Sequence, residues 1–244
     1  MRLSRVYLDS PLALNAVISL PKEIAHYLSN VLRLRVDDEL LVFNSQQGEF
    51  LARVVAVAKR AVDIELLEKK RDANDATKQA SLSLHLSLGL SRGDRMDFAV
   101  QKSTELGVTE ITPVYTEFGE VRLKADRVEK KLQHWQKIAI SACEQSGRLD
   151  IPVINKPIAL MDLSLNESAN KWMLEPSGSD VLPQSIAENN ILLLIGPEGG
   201  FSEKEIDWAQ RNDFQIVALG SRILRTETAP VAALAILQHK YGDM

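Results

Sequence analysis

The sequence predicts an α/β protein in which a mostly parallel sheet is preceded by a small β-barrel. Short runs rich in Val, Leu and Ile dominate residues 1–70, and turn-like segments separate them, as is typical of a small barrel. From residue 80 onward, strand-like and helical segments alternate along the chain. Such alternation favours a mostly parallel sheet with helices as the connections between strands.

Three apolar runs near the N-terminus carry the barrel prediction. Their aliphatic and β-branched residues suit strands, and polar segments lie between them. The runs are Glu39–Phe43, Glu49–Val57 and Ala61–Leu67. A short helix is also predicted after Pro21 and through Leu32.

A charged segment separates the two predicted domains. Glu68–Gln79 contains no apolar residue larger than alanine, so it has little to contribute to a hydrophobic core. We therefore expect an N-terminal domain at residues 1–70, a linker at 71–79 and a C-terminal domain at 80–244.

The C-terminal domain begins with leucines at alternate positions from Leu82 to Leu90, which predicts a strand with one buried face and with His85 on the outer face. A helix is predicted from Asp94 to Leu106, with Gly107 just beyond its end. The elements predicted next are a strand at Thr109–Thr116, an amphipathic helix at Val128–Ser146, and strands at Ile151–Ile154 and Lys171–Leu174.

The segment Ile191–Glu205 carries the strongest local signal of a ligand site. Ile191–Ile195 predicts a short buried strand, and the turn Gly196–Gly200 that follows has almost no side-chain bulk. Ser202 and Glu205 have the spacing of a capping box, which opens a helix. Because glycine has no Cβ, a ligand can approach the backbone of this turn closely.

A second strand–loop–helix unit follows at once. Gln215–Leu219 predicts a buried strand and Gly220–Arg225 a loop. An apolar helix is predicted at about Ala229–His239, with Thr228 as its N-cap and Pro230 in its first turn. Open α/β sheets bind ligands at the carboxyl ends of their strands, so two adjacent ligand-facing loops are expected.

Several common site chemistries find no support in the sequence. The P-loop motif and the G-x-G-x-x-G motif are both absent, and loop chemistry alone leaves open that Gly196–Gly200 is only a tight turn. Cys143 is the only cysteine, so it cannot form an intrachain disulfide, and it suits a small buried residue better than a nucleophile. The four histidines lack metal-ligand spacing, so no metal site is expected.

Composition and charge limit the classes of protein to which the chain can belong. The chain is 45% hydrophobic and 25% charged, with a net charge of −4, which is typical of a soluble globular protein that is not basic overall. Residues 1–71 carry eleven Lys and Arg against nine Asp and Glu, so positive charge is concentrated toward the N-terminus. With no apolar run of about 18 residues and no signal-peptide core, we expect a cytoplasmic protein without a membrane partner.

Separated motifs along nearly the whole chain match one family together. They are His26–Arg33, Gln101–Gly107, Trp135–Ile138 with Glu144–Arg148, and Ile195–Ser202 with Leu219–Ala229. In this order and combination they resemble the RsmE family, the 16S ribosomal RNA uridine-N3 methyltransferases of the SPOUT superfamily. The resemblance implies a PUA-like, RNA-binding barrel at the N-terminus and a SPOUT methyltransferase domain with a C-terminal trefoil knot.

The resemblance also implies a cofactor and site residues. The cofactor is S-adenosylmethionine, held by residues of three loops: Leu174; Ile195, Gly196, Gly199 and Gly200; and Leu219, Gly220, Ile223 and Leu224. Arg225 and Glu198 are the implied catalytic residues, although Glu198 also suits a role in satisfying loop amides. The implied RNA contacts are Arg33 and Arg35, with His26 as a further candidate; ion pairing of the two arginines with Asp37 or Asp38 is the alternative.

The implied partners are 16S ribosomal RNA or the small ribosomal subunit, and a second copy of the chain in a homodimer. The apolar final helix favours the homodimer, because a helix that is apolar nearly all round must be buried in its own core or against another subunit. Two alternative functions are also compatible with the sequence. One is a SPOUT methyltransferase acting on another RNA or base, such as tRNA, and the other is a noncatalytic RNA-binding module.

Overall fold

The computed structural model describes residues 3–58, 61–73, 82–167 and 169–244. Contacts divide the chain into two units. The first unit contains Met1–Gln79 together with Cys143–Asp150, and the second contains Ala80–Ala142 and Ile151–Met244. The first unit thus includes a short segment from far along the chain, which no local sequence pattern predicts.

Five strands form the sheet of the first unit: β1 at Arg5–Tyr7, β2 at Val17–Ser19, β3 at Glu39–Asn44, β4 at Gly48–Ala58 and β5 at Ala61–Arg71. Their order is β1-β3-β4-β5-β2, with β1 parallel to β3 and the other neighbours antiparallel. Register shifts between β4 and β5 mark irregularities of the bulge kind, which bend a sheet. The core of this unit includes Leu28, Leu40 and Ile64.

Two details of the first unit differ from the sequence prediction. Helix α1 is α-helical only over Lys22–His26, and Tyr27–Val31 continue as a π-helix, a distinction that hydrophobic periodicity cannot make. Strand β5 runs to Arg71, so the charged segment Glu68–Gln79 begins as strand and the first residue of the linker expected at 71–79 belongs to it. Main-chain pairing with β4 extends the strand regardless of side-chain charge. Residues 74–79 of that segment lie outside the described residues.

A buried ionic cluster joins β1, β4 and β5. The Glu49 carboxylate accepts hydrogen bonds from Arg5 Nε and Arg71 Nη2, each at 2.7 Å. Burial raises the pKa of Glu49, but hydrogen bonds from the two guanidinium groups lower it more, so the pKa lies below its ordinary value. Arg5 also donates to the main-chain carbonyls of Glu144 and Arg148, which attaches the distant segment to this unit.

The second unit contains seven strands: β6 at Ser83–Gly89, β7 at Glu110–Tyr115, β8 at Val153–Ile154, β9 at Ile158–Ala159, β10 at Asn170–Leu174, β11 at Asn190–Ile195 and β12 at Gln215–Val217. All neighbours are parallel, in the order β12-β10-β11-β6-β7-β8, with β9 also paired to β7. The prediction of a mostly parallel sheet is therefore confirmed.

Four helices connect or follow these strands: α2 at Gly93–Glu105, α3 at Ala125–Ser146, α4 at Glu203–Arg211 and α5 at Thr228–Tyr241. A single 3-10 turn lies at Leu160–Asp162. Gly107 has a φ of +87°, which confirms its predicted place just past the end of α2. The residues of α3 from Cys143 onward belong to the first unit.

Strand β6 is buried on both faces over its C-terminal half, so the prediction of one buried face is wrong. Leu84 and Leu88 pack in the main core, but Ser87 on the opposite face is also fully buried. The reason is the central position of β6 between β11 and β7. His85 is half-buried instead of lying on an outer face, with Nε2 at 2.8 Å from Thr112 Oγ1, and burial lowers its pKa.

Helix α5 starts one residue before the predicted position. Thr228, predicted as the N-cap, is its first residue, and Glu227 occupies the cap position without a side-chain cap bond. The helix buries Pro230, Ala233, Leu234, Leu237 and Gln238. Although α5 is strongly apolar, none of the helices in the described part of the chain is both long enough and apolar enough to cross a membrane.

Candidate functional site

A cleft of about 460 Å³ lies at the carboxyl ends of β10, β11 and β12 in the second unit. Leu174 pairs with both Ile195 and Val217, so the three strands end at one level and the loops after them meet. A cleft of this volume suits a small-molecule ligand. Except for Gly220, every predicted catalytic and cofactor-binding residue lines it: Leu174, Ile195, Gly196, Glu198, Gly199, Gly200, Leu219, Ile223, Leu224 and Arg225.

Glycines let the loop between β11 and α4 pack closely against its surroundings. A Cβ on Gly199 would lie 2.7 Å from the main-chain oxygen of Phe118, and one on Gly196 would lie 3.1 Å from the ring of Phe201. Gly200 has a φ of +69°, which glycine adopts without the strain a Cβ would add. The backbone of this loop therefore forms part of the cleft wall with no side chain between it and a ligand.

The predicted capping box is confirmed, and it fixes the end of this loop. The N–H of Glu205 donates to Ser202 Oγ at 3.4 Å, and the N–H of Ser202 donates to the Glu205 carboxylate at 2.8 Å. The other Glu205 oxygen accepts the N–H of Glu117 at 2.8 Å. The buried Glu205 carboxylate thus ties the start of α4 to the loop after β7.

The loop between β12 and α5 forms the opposite wall. Strand β12 ends at Val217, so Leu219, predicted as strand, lies in this loop. Gly220 has a φ of +75°, and the side chain of Ile223 is 84% exposed at the cleft edge. The carbonyl of Arg225 accepts the N–H groups of the first two residues of α5, each at 2.9 Å, which fixes the main chain there.

Four charged side chains form an alternating row, and three of them, Glu198, Arg95 and Arg225, line the cleft. Arg95 of α2 donates through Nη1 to Glu198 Oε1 at 2.6 Å, and this hydrogen bond raises the pKa of Arg95. Arg95 Nε lies 3.9 Å from Glu227 Oε2. Glu227 Oε1 in turn lies 4.0 Å from Arg225 Nη1. The Arg225 side chain is 78% exposed, so its guanidinium is accessible to a ligand.

The three predicted RNA-binding residues lie in the first unit: His26 is the last residue of α1, and Arg33 and Arg35 follow the π-helix Tyr27–Val31. His26, Arg33 and Arg35 are all exposed, and Arg33 has a φ of +57°. The main-chain N–H of Arg35 donates to the Asp38 carboxylate at 2.7 Å. Over the residues that the structure describes, neither guanidinium forms an ion pair with Asp37 or Asp38, so both positive charges are available.

Cys143 is not among the residues that line this cleft. Cys143 is buried in the first unit, and burial raises the pKa of its thiol to about 12, which suppresses the nucleophilic thiolate near neutral pH. This agrees with its interpretation as a packing residue. Among the described residues, no group of His, Cys, Asp or Glu has the arrangement of a metal site.

Sequence reasoning did not single out Arg95 or Glu227. Glu227 lies within the motif Leu219–Ala229, but Arg95 is one charged residue in the first turn of a helix. Its proximity to Glu198 arises only when α2 and the loop after β11 are brought together by the sheet. Gly89 was missed for the same reason: a Cβ there would lie 2.3 Å from the nitrogen of Pro197.

Comparisons with known proteins cover both units. A family model described as an RNA methyltransferase domain matches residues 78–238. A second model, described as an RNA methyltransferase PUA domain, matches residues 20–67, which include the three predicted RNA-binding residues.

Relatives and solved structures match the chain over its full length. A protein of Buchnera aphidicola subsp. Schizaphis graminum named ribosomal RNA small subunit methyltransferase E is 38% identical, over 100% of this chain and 98% of that protein. A structure from Legionella pneumophila, described as a methyltransferase with bound cofactor SAM, is 34% identical with a TM-score of 0.93 over 100% of both chains. A ribosomal RNA small subunit methyltransferase E of Neisseria gonorrhoeae, bound to S-adenosyl methionine, is 36% identical with a TM-score of 0.89 over 100% of both chains.

Proposed function

The chain belongs to the RNA methyltransferase family, and on this premise we propose that it methylates N3 of a uridine in 16S ribosomal RNA with S-adenosylmethionine as the methyl donor. The observation that carries the proposal is the cleft at the ends of β10, β11 and β12. Two full-length structural relatives, at 34% and 36% identity, contain this cofactor. The relatives' names supply the substrate class, small-subunit ribosomal RNA.

The residues of the cleft fit the proposed cofactor. Gly196 and Gly199 line the cleft, and because glycine has no side chain, it is their main chain that faces a ligand, so amide and carbonyl groups can contact the adenosine directly. Leu174, Leu219 and Leu224 supply apolar surface around these polar groups, the usual composition of a small-molecule site. When bound, S-adenosylmethionine supplies an electrophilic methyl group.

Arg225 suits the stabilisation of charge that develops on the base. Uridine N3 is a weak nucleophile while it carries its proton, and removal of that proton spreads negative charge onto O2 and O4 of the ring. An exposed guanidinium at the cleft can stabilise this charge as it forms. Arginine stays protonated in proteins, so Arg225 is not the base that removes the proton.

Glu198 has two chemical options at this site. One carboxylate oxygen accepts the hydrogen bond from Arg95, and because Glu198 lines the cleft, the carboxylate can also accept a hydrogen bond or a proton from a ligand there. Glu198 can therefore accept the N3 proton, or it can fix the glycine turn in which it lies. The bond to a cation on a neighbouring helix supports the second option more strongly, because it anchors the turn.

The first unit suits RNA binding. Exposed cationic side chains attract phosphates when they lack carboxylate partners, and Arg33 and Arg35 have none among the described residues, with His26 nearby in sequence. We keep the domain limits expected from the sequence, residues 1–70, 71–79 and 80–244, as part of this proposal. A homodimer through the second unit, a trefoil knot at its C-terminal end and a cytoplasmic location are further parts of it.

Transfer of a labelled methyl group tests the proposal directly. The protein is incubated with radiolabelled S-adenosylmethionine and small ribosomal subunits that lack the modification, and labelled nucleosides are then separated. We expect label in N3-methyluridine of 16S ribosomal RNA. Label in tRNA or in another nucleoside would favour a related methyltransferase of different specificity, and RNA binding without any transfer would favour a noncatalytic module.

A further inference from the structure

We infer that Arg95 is a positioning residue of the methyl transfer, which holds Glu198 and Glu227 in place and, through Glu227, sets the position of Arg225. This inference rests on the proposed function, because Glu198 and Arg225 have chemical roles only there. Arg95 lies in the first turn of α2, and its guanidinium reaches two loops that are remote from it in sequence.

The contact with Glu198 joins a helix to a loop. Glu198 lies in a turn of glycines and proline, whose side chains offer its carboxylate no hydrogen-bond donor. Within the described residues, Arg95 is the one cation within ion-pair distance of the Glu198 carboxylate, at 2.6 Å. The guanidinium is carried by a helix, so this bond fixes the carboxylate and the turn relative to the sheet.

The contact with Glu227 acts on Arg225. Glu227 is only 19% exposed and accepts a hydrogen bond from Thr226 Oγ1 at 3.3 Å, so its carboxylate is held between the two guanidinium groups. Its distances to Arg95 and Arg225 are 3.9 Å and 4.0 Å. If Arg95 is removed, Arg225 is the one cation of the described residues left within ion-pair distance of Glu227, and we expect its exposed side chain to be drawn toward that carboxylate and away from the base.

A purely structural role does not account for Arg95. Its side chain is 44% exposed, and ion pairs at exposed positions contribute little to stability. Arg92 provides the comparison, because it lies three residues earlier at the cap of α2 and pairs with Glu120 at 2.6 Å in the same manner. Unlike Arg95, Arg92 does not line the cleft.

The first experiment compares Arg95→Ala, Arg95→Lys and the matched control Arg92→Ala. Single-turnover methyl transfer to small ribosomal subunits is measured, along with S-adenosylmethionine affinity by calorimetry. We expect Arg95→Ala to be about 10- to 100-fold slower, since small misplacements of reacting groups cost up to about that factor. Its cofactor affinity and its KM for RNA should stay within about threefold of wild type. Arg95→Lys should recover most of the rate, because it keeps the positive charge, and Arg92→Ala should match wild type.

The second experiment is a double-mutant cycle with Glu198→Gln. If Arg95 acts by holding Glu198, the loss in the double variant falls well short of the product of the two single losses. The inference would be overturned if the rate loss of the double variant equals the product of the two single-variant losses. It would also be overturned if Arg95→Ala is as fast as wild type. Failure of the proposed function gives a different result, because the wild-type protein itself would then transfer no methyl group to ribosomal RNA.

Discussion

At the residue scale, Glu198 and Arg225 are held very differently. Glu198 is bound by a helix-borne arginine at 2.6 Å, whereas Arg225 reaches its partner Glu227 only at 4.0 Å and is 78% exposed. A well-anchored carboxylate suits the shaping of a loop, and an exposed guanidinium suits contact with a substrate that arrives from solution. In the proposed function we therefore expect Glu198 to shape the site and Arg225 to contact the RNA.

Replacement of Arg225 tests the second role. Arg225→Ala should slow single-turnover methylation by about a hundred- to a thousand-fold, because that is the usual cost of losing one preorganised donor to a developing anion. Arg225→Lys should recover the rate only in part, since an ammonium lacks the planar fork of a guanidinium. S-adenosylmethionine should bind both variants as it binds wild type.

The pH dependence of the alanine variant refines this prediction. If raising the pH restores its rate to the wild-type value, Arg225 acts mainly by making N3 easier to deprotonate. An alanine variant as fast as wild type at neutral pH would show that Arg225 has no part in the chemical step.

The glycines of the two loops that meet at the cleft give a second residue-scale prediction. Gly196→Val places side-chain atoms against the ring of Phe201, and Gly220→Val forces a β-branched residue into a φ of +75°. Both changes should abolish S-adenosylmethionine binding in calorimetry. Gly147→Val is the matched control for Gly220, because its φ is +89° but it belongs to the first unit, whereas the residues that line the cleft belong to the second. Unchanged affinity in the Gly196→Val and Gly220→Val variants would contradict the placement of the cofactor.

At the scale of elements, the sequence predicts most strands and helices of the second unit to within a few residues. Local signals suffice where they are strong, as for the capping box at Ser202 and the apolar run of β11. They fail for β6, where alternation predicts one buried face although the central position buries both. The sheet order decides which faces are buried, and no local pattern contains it.

Local sequence patterns likewise predict only part of the candidate site. The glycine turn and the loop after β12 are visible in the sequence because glycine and cap residues have local causes. Arg95 is not, because its partners come from other parts of the chain. The attachment of Glu144 and Arg148 to Arg5 is likewise a long-range contact.

The ionic cluster of β1, β4 and β5 makes a pH-dependent stability prediction. The pKa of Glu49 is lowered in the folded protein, so its contribution to stability is complete above the unfolded pKa of about 4.3 and is lost as the pH falls through the lower folded value. Glu49→Gln leaves Arg5 and Arg71 without a counter-charge. We expect the variant to lose about 3 kcal/mol of unfolding free energy at pH 7.

Urea unfolding of wild type and Glu49→Gln at several pH values checks this prediction. The difference between the two proteins should be constant from neutral pH down to about pH 5 and should shrink below it. A difference that is independent of pH down to about pH 2 would show that the carboxylate charge is not what stabilises the cluster.

At the scale of the whole molecule, a dimer is the expected state. Ile236 of the apolar helix α5 is 43% exposed and Ile223 at the cleft edge is 84% exposed, so apolar surface remains uncovered in one copy of the second unit. Light scattering at micromolar concentration should give the mass of two chains, about twice 27.2 kDa. A monodisperse monomer with full methylation activity would exclude a dimeric active form.

RNA affinity should depend on the first unit of the intact chain. Arg33→Ala and Arg35→Ala should each weaken RNA binding and reduce the slope of log affinity against log salt by about 0.7, as expected for one lost phosphate contact to a single strand. Cofactor affinity should not change. The matched control is Arg53→Ala, because Arg53 lies in the same unit but is already paired with Glu65 at 2.9 Å. If the two variants bind RNA with the wild-type salt slope, the phosphate contacts lie elsewhere.

The proposed activity is methylation of N3 of a uridine in 16S ribosomal RNA. It can be measured in cells by nucleoside mass spectrometry of ribosomal RNA from a strain that lacks the protein, compared with its parent. We predict that N3-methyluridine disappears from 16S ribosomal RNA in the deletion strain and returns when the wild-type gene is restored, but not when Arg225→Ala is supplied. An unchanged level of N3-methyluridine in the deletion strain would mean that this protein does not make the modification.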